Sequence, residues 1–301
     1  MTPTSLAPPE RIGFVGLGQM GAPMVRNLAR AGFRLAIGDA NAQAVARIGA
    51  ELACEAPASL AALGAACRVV ITMLPDGHAV HEVAVAMDLA RDAILIDMSS
   101  SSPMGTRELG RALAGRGVAL VDAPVSGGVK KAVDGSLAIM AGGDAATIER
   151  VRPILAALGK QIFLTGPLGS GHAMKALNNY VSAAGLAAAA EAVLAGNRFG
   201  LDPATIVAIL NASTGKNNST ENKFPQFVLP RTFNSGFSLG LMVKDLRTAL
   251  DVAHATGTPA PLGEACVEAW ARAEQLFGGQ SDHTEVVKYW ERLAGGEIKG
   301  G

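Results

Sequence analysis

From residue 11 to about 165 the chain alternates short apolar runs with stretches in which apolar residues recur every three or four positions. The runs at 11–16 (RIGFVG), 33–39 (FRLAIGD), 67–74 (CRVVITML), 93–99 (AILIDMS) and 118–125 (VALVDAPV) predict strands. SLAIMAG (136–142) and QIFLTG (161–166) predict two more. Segments 19–31 and 104–114 carry the helical period, with Met20, Met24 and Leu28 facing the sheet. Strand and helix in alternation predict parallel strands joined by crossover helices, a doubly wound α/β sheet. Beyond 167 the strand pattern stops and alanine-rich helical periodicity runs to the C-terminus. Residues 169–199 read as one helix, on the order of 45 Å long at ~1.5 Å per residue. Gly200 then stops it and Asp202-Pro203 starts another. The expected organisation is a short frayed tail at 1–10, an α/β domain at 11–167, and an all-helical domain at 168–301 entered by the long helix.

Composition narrows the classes. The chain is 49% hydrophobic but only 4% aromatic, so its core is aliphatic. Lys plus Arg and Asp plus Glu balance at 26 each, which removes the electrostatic argument for nucleic acid or an anionic membrane. It leaves a small charged substrate open. Cys54, Cys67 and Cys266 form no CxxC pair, so neither a zinc site nor a disulfide framework is expected, and a reducing cytoplasm is the simplest home. The opening MTPTSLAPPE lacks the pattern of a secretory signal, and the apolar run at 183–196 is broken by Glu191. A soluble protein is expected.

GFVGLGQMGAPMVRNLARAGF places Gly16, Gly18 and Gly21 in GxGxxG spacing, between a predicted strand and a predicted helix. Gly16 allows a tight turn, Gly18 lets a pyrophosphate approach the backbone, and Gly21 lets the helix pack close to the strand. The helix N-terminus then holds the phosphates. Asp39 ends the second strand, where a carboxylate accepts from a ribose 2′-hydroxyl and repels a 2′-phosphate. No arginine stands beside it and Arg47 is further on, so NAD is expected over NADP. Asp39 is also placed to cap the next helix, a compatible role. MLPDG (73–77) and DMSSSSP (97–103) are strand-to-loop transitions that should rim the cofactor, or are ordinary turns.

These motifs, followed in order by DAPVSGGV, GSGHAMKALNN and LMVKDL, resemble the β-hydroxyacid dehydrogenases, such as 3-hydroxyisobutyrate dehydrogenase and tartronate semialdehyde reductase. The resemblance covers residues 11 to about 290. It implies an N-terminal Rossmann domain, a helical C-terminal domain built on a long interdomain helix, and homodimers or homotetramers. It implies cofactor contacts from Gly16, Leu17, Gly18, Gln19, Met20 and Gly21, and from Leu74, Pro75, Ser100 and Lys244. Ser126, Gly127 and Gly128 would hold the substrate carboxylate, and Lys175 would be the catalytic acid/base with Asn179 beside it. Two departures bear on the substrate: Lys130 and Lys131 stand where smaller or neutral residues are expected, and 213–227 lacks the expected tryptophan.

The residues themselves fit that chemistry. Removing a hydroxyl proton as hydride leaves the same carbon requires a neutral lysine, the minor form at its ordinary pKa of ~10.4. Burial and a neighbouring oxidised nicotinamide both disfavour the ammonium. Asn179 lies one turn beyond Lys175 and hydrogen-bonds without adding a charge, while Asn178 is turned away. Gly169 and Gly171 are expected to leave the helix start open to substrate and cofactor. Ser126-Gly127-Gly128 suits an anion nest. Lys130 and Lys131 would attract a second anionic group or simply be solvated. His172 reads as a capping residue, Lys244-Asp245 as a helix start, Phe237 as core, and His78 and His81 as a solvated face rather than a metal site.

The reading is an NAD-dependent dehydrogenase of a small 3-hydroxy carboxylate without a metal. Alternatives are a tartronate semialdehyde reductase, or a dehydrogenase of a sulfonated or phosphorylated hydroxy acid. A non-catalytic dinucleotide-binding protein is the rival of another class.

Overall fold

The computed structural model describes residues 5–298. In chain order the first elements are β1 (Arg11–Val15), α1 (Gly21–Arg30), β2 (Arg34–Gly38), α2 (Ala42–Leu52), α3 (Leu60–Ala66), β3 (Val69–Thr72), α4 (Gly77–Ala86) and β4 (Ile94–Asp97). Then come α5 (Pro103–Gly115), β5 (Ala119–Asp122), β6 (Val125–Ser126), α6 (Gly128–Val133), β7 (Leu137–Gly142), α7 (Ala145–Leu158) and β8 (Gly159–Gly166). The remainder is helical: α8 (Ser170–Phe199), α9 (Pro203–Ala212), a π-helical segment Ser219–Val228, α10 (Leu239–Ala255), α11 (Pro261–Phe277), a 3₁₀ turn His283–Val286, and α12 (Val287–Ala294).

The chain divides into two compact units between Lys175 and Ala176, inside α8. In the first, one sheet runs in the order β2-β1-β3-β4-β5-β7-β6, with β8 beside β7. Strands β1 to β5 are parallel, as the alternation predicts, and β3 and β4 are buried along their whole length. Alternate residues feed opposite faces. Ile12, Phe14, Ile71 and Ile96 join one core, whereas Val15, Val70 and Leu95 join the other. This is the continuous apolar strand expected of a sheet covered on both faces. The exceptions are β7, which runs antiparallel to β5 and β6, and β8, which runs parallel to β7. Only the six-residue α6 separates β6 from β7, too short for a parallel crossover.

The second unit packs around Trp270 and Phe224, both fully buried. Asp202 accepts from Thr205 N–H and Pro203 opens α9, as the sequence predicts. The tail is ordered differently from expectation. Residues 1–4 lie outside the described residues, but Leu6 is buried and its N–H donates to the Arg150 carbonyl at 2.9 Å. An apolar side chain with a core socket does not fray. Among the described residues, no helix is long and apolar enough to cross a membrane.

Candidate active site

The sheet order reverses between β1 and β3, the position at which open α/β sheets bind ligands beyond their strand ends. The glycine loop leaves β1 there, and its three glycines do different work. Gly16 has φ +105°, and a Cβ on it would lie 2.2 Å from the Met73 carbonyl oxygen. A Cβ on Gly21 would lie 1.8 Å from the Gly16 carbonyl oxygen, so α1 starts hard against the loop. A Cβ on Gly18 would meet no protein atom within 4 Å. Packing requires Gly16 and Gly21; Gly18 is exposed on an open cradle. Among the described residues no side chain caps α1, whose N-cap position is Met20, so its positive N-terminal end is available to an anion.

A cavity of about 570 Å³ opens over this loop, lined by Leu17, Gly18, Gln19, Asp39, Arg47 and Val129 among others. Asp39 does not cap α2; Asn41 does, accepting from Gln43 and Ala44 N–H. Instead Asp39 accepts from Leu17 N–H at 2.5 Å and from Asn41 N–H at 2.7 Å, which locks its carboxylate to the loop. Of the two arginines on this cavity, Arg26 is forked onto Glu51 at 2.6 and 2.8 Å. The Arg47 charge also favours ionised Glu51.

The strand-end loops converge here too. Leu74 N–H donates to Ser99 Oγ at 2.9 Å, tying 73–77 to 97–103, and the Leu74 side chain lies against Gly16. Pro75 is exposed and Ser100 half-buried. Ser126 ends β6, and Gly127 and Gly128 have φ +133° and +66°. They enter α6, whose Val129 and Val133 line the same cavity. Lys130 and Lys131 are exposed on that helix rather than on a loop, and the Lys131 stem folds over Gly127.

The start of α8 differs from expectation. A Cβ on Gly171 would lie 2.2 Å from the Met140 carbonyl oxygen, and one on Gly169 2.9 Å from that of Pro103. These glycines let the helix seat on the protein's own backbone, not on a ligand. Nor does His172 cap. Asp122, the last residue of β5, accepts from Gly169 N–H at 2.7 Å and His172 N–H at 2.8 Å. The His172 ring is buried, with Nδ1 2.8 Å from Thr106 Oγ1 and Nε2 3.6 Å from Asp97 at the end of β4. Asp97 is itself held by Thr72, Ser99 and Ser101. The first turn of α8 is thereby pinned to the carboxyl ends of two strands, and half-buried Lys175 follows one residue short of a turn after His172.

In the second unit Asn179 is 7% exposed, and its Nδ2 donates to Asp245 Oδ2 at 2.6 Å. Asn178 donates to Asn179 Oδ1 at 3.2 Å. Lys244 and Asp245 do not start a helix: α10 begins at Leu239, capped by Ser238, and they fall in its second turn, 3.4 Å apart. Phe237 packs against the unit's core. His78 is solvent-facing beside Glu82. Among the described residues no three His, Cys, Asp or Glu side chains gather as metal ligands.

Residues 11–166 match the family described as the NAD binding domain of 6-phosphogluconate dehydrogenase. Residues 169–290 match that described as NAD-binding of NADP-dependent 3-hydroxyisobutyrate dehydrogenase. The chain is 35% identical to 2-(hydroxymethyl)glutarate dehydrogenase of Eubacterium barkeri, over 97% of this chain and 98% of that one. It is 38% identical to 3-hydroxyisobutyrate dehydrogenase of Pseudomonas aeruginosa, over 84% and 88%. The chain belongs to the β-hydroxyacid dehydrogenases. A solved structure of this family, Mycobacterium tuberculosis 3-hydroxyisobutyrate dehydrogenase with L-serine, superposes with a TM-score of 0.87 at 33% identity, covering 93% of this chain and 99% of that one. As a β-hydroxyacid dehydrogenase the protein is an NAD(P)-dependent oxidoreductase of hydroxy acids.

Four side chains of this β-hydroxyacid dehydrogenase escaped sequence reasoning. Asp97 and Asp122 each end an apolar strand, ILID and ALVD, and are themselves buried; a carboxylate there was a signal that it binds something fixed. Asp245 sits within the LMVKDL motif, but nothing in the spacing shows that it holds Asn179. Lys223 gave no signal at all: it lies in a polar stretch and is nonetheless buried.

Proposed function

We propose that this enzyme uses NAD to oxidise a small 3-hydroxy carboxylate to its semialdehyde or ketone, and catalyses the reverse reduction. The carrying observation is the pinning of α8 by Asp122. It puts Lys175 on a rigid turn at the carboxyl edge of the sheet, the edge from which the glycine loop and 73–77 also emerge. The cradle at Gly18, the uncapped α1 and Asp39 fit a dinucleotide. When bound, the nicotinamide supplies the hydride acceptor.

Ser126 and the N–H groups of Gly127 and Gly128 receive the substrate carboxylate. The Lys175 amine takes the hydroxyl proton in oxidation and returns it to the alkoxide in reduction. Asn179, oriented by Asp245, presents its carboxamide on the same stripe of α8, one turn from Lys175, and aligns the hydroxyl. Leu74, Pro75, Ser100 and Lys244 border the cofactor. NAD rather than NADP is supported by Asp39, whose fixed charge repels a 2′-phosphate, and by the engagement of Arg26 with Glu51. The substrate class is supported by relatives that act on 3-hydroxyisobutyrate and 2-(hydroxymethyl)glutarate and by the L-serine bound to the tuberculosis enzyme, all hydroxy carboxylates.

The three cysteines carry no disulfide, which supports a cytoplasmic setting. Met174, Leu177 and Val181, exposed along one stripe of α8, support a homo-oligomer. Lys175→Ala tests the chemistry: kcat should fall by roughly 10²–10⁴-fold, while NADH titrated by fluorescence binds within a few-fold of wild type. Retained turnover refutes the mechanism, and a wild-type enzyme faster with NADP refutes the cofactor assignment.

A further inference from the structure

The side chain that the chemistry above leaves unused is Lys223. It projects from the π-helical segment Ser219–Val228 and is only 8% exposed. Its hydrogen bond is a single donation from Nζ to Ser182 Oγ at 3.0 Å, and among the described residues no carboxylate lies within ion-pair distance. An ammonium has three donors, and buried lysines are nearly always paired. Here two N–H groups of a desolvated cation lack a described acceptor.

The surroundings offset its charge only in part. Asp282 is the carboxylate whose charge it feels, but that group is already taken by Ser235 Oγ, Gly236 N–H and both the N–H and Oγ1 of Thr284. His283, the neighbour that feels the lysine's charge, is buried and offers no negative charge; its Nε2 is a buried nitrogen with no protein partner. Burial pushes the Lys223 ammonium down to about 8, so it remains protonated at neutral pH. A buried charge offset only in part, by Asp282 acting through space, is costly unless a partner joins it.

Its placement says what the partner is. Ser182 follows Lys175 by seven residues and Asn179 by three, so all three lie on one stripe of α8, with Ser182 about 10 Å beyond Lys175 along the axis. The segment delivering Lys223 is itself laid on that helix: Ser219 Oγ donates to the Ser182 carbonyl at 3.4 Å, and Asn217 lies against Gly185. It belongs to the stretch, 213–227, that lacks the tryptophan expected of 3-hydroxyisobutyrate dehydrogenase itself. A substrate with its hydroxyl at Lys175 and its chain along this stripe would bring its far end toward Ser182, the residue that Lys223 is bonded to.

We propose that Lys223 reads a second anionic group at the far end of the substrate, so that the preferred hydroxy acid is a dicarboxylate rather than a monocarboxylate. The proposal rests on Lys175 being the centre of the reaction. It differs from the sequence expectation for Lys130 and Lys131, which are solvated on α6 and carry no desolvated charge.

The test compares two matched series, 2-alkyl-3-hydroxypropionates and 2-(carboxyalkyl)-3-hydroxypropionates with two to four carbons in the side chain. Wild type should favour the carboxyalkyl series in kcat/KM. Lys223→Met should raise KM for that series by roughly 30-fold or more, the scale of truncating one partner of a desolvated charge pair, and leave the alkyl series within about threefold. Lys223→Arg should recover part of the preference. If both series weaken equally, the lysine is structural and the proposal is overturned; so it is if wild type shows no preference for the second carboxylate. Should Lys223→Met fail to fold, the thermal shift of wild type with 2-methylglutarate against isobutyrate decides, and equal shifts overturn the proposal. Lys175→Ala, run alongside, separates the failures: loss of all turnover in that variant keeps the proposed reaction standing whatever Lys223 does.

Discussion

Replacing Gly18 and Gly21 by alanine separates what the glycine loop does for the fold from what it does for the cofactor. At Gly21 the new Cβ would sit 1.8 Å from the Gly16 carbonyl oxygen, whereas real Cβ contacts stay beyond about 3.0 Å. The start of α1 must therefore back away by about 1.2 Å, and such overpacking costs typically about 1–3 kcal/mol. For a chain of this size that is a fall in Tm of roughly 2–4 °C per kcal/mol. At Gly18 nothing lies within 4 Å of the new methyl and φ is not left-handed, so stability should change by less than about 0.5 kcal/mol. The methyl would instead occupy the space a pyrophosphate needs. Losing one charge-assisted backbone hydrogen bond costs about 1.5–3 kcal/mol, which weakens NADH binding roughly 10- to 100-fold. Differential scanning fluorimetry and NADH fluorescence titration on both variants give the four numbers. The expected pattern is crossed: Gly18→Ala silent in Tm but weak in binding, Gly21→Ala low in Tm. A Gly18→Ala protein with wild-type NADH affinity would refute the assignment of this loop to the pyrophosphate.

Two further perturbations follow from buried groups. Asp245→Asn keeps the shape but removes the charge holding Asn179 Nδ2 at 2.6 Å; kcat should fall on the order of 10²-fold, the effect of a small misplacement of a positioned group, with NADH affinity unchanged, and stopped-flow NADH formation would show otherwise if it stays at wild-type rate. His283 is held neutral because burial and the Lys223 charge lower its pKa well below the ordinary histidine value. The folded-state pKa is then below the unfolded one, so the unfolded chain binds the extra proton and stability is lost as pH falls below about 6.5. The slope should approach about 1.4 kcal/mol per pH unit from this residue. Urea titrations from pH 7.5 to 5 on wild type and His283→Asn measure it, and identical slopes would remove His283 as the cause.

The periodicities that make β1 to β5 are local, so those strands could be read directly: each is a run of β-branched or aliphatic residues closed by a turn. The direction of β7 was hidden because it depends on the length of α6, where VKKAV is short and polar. Gly16, Gly18 and Gly21 share one motif, yet only coordinates separate the two that serve packing from the one that serves a ligand. The start of α8 was misread for the same reason. Glycines that admit a ligand and glycines that admit a neighbouring carbonyl are the same letter, and Asp122 is 47 residues from the Gly169 amide it accepts from. Lys223 illustrates the limit most sharply, since a lysine in a polar stretch predicts solvent, and tertiary packing against Ser182 overrode that preference.

The 30-residue helix α8 is shared by both compact units, with the division falling immediately after Lys175. Such a join is a natural crossover point for recombination. A chimera that switches parents within the alanine-rich 183–190 keeps the dinucleotide half, the lysine and its asparagine from one enzyme, and takes the distal helices from another. Directed shuffling at this seam should therefore trade substrate choice between members of the family while leaving the glycine loop, Lys175 and Asn179 in place, provided the incoming α10 keeps a lysine and an aspartate at 244 and 245.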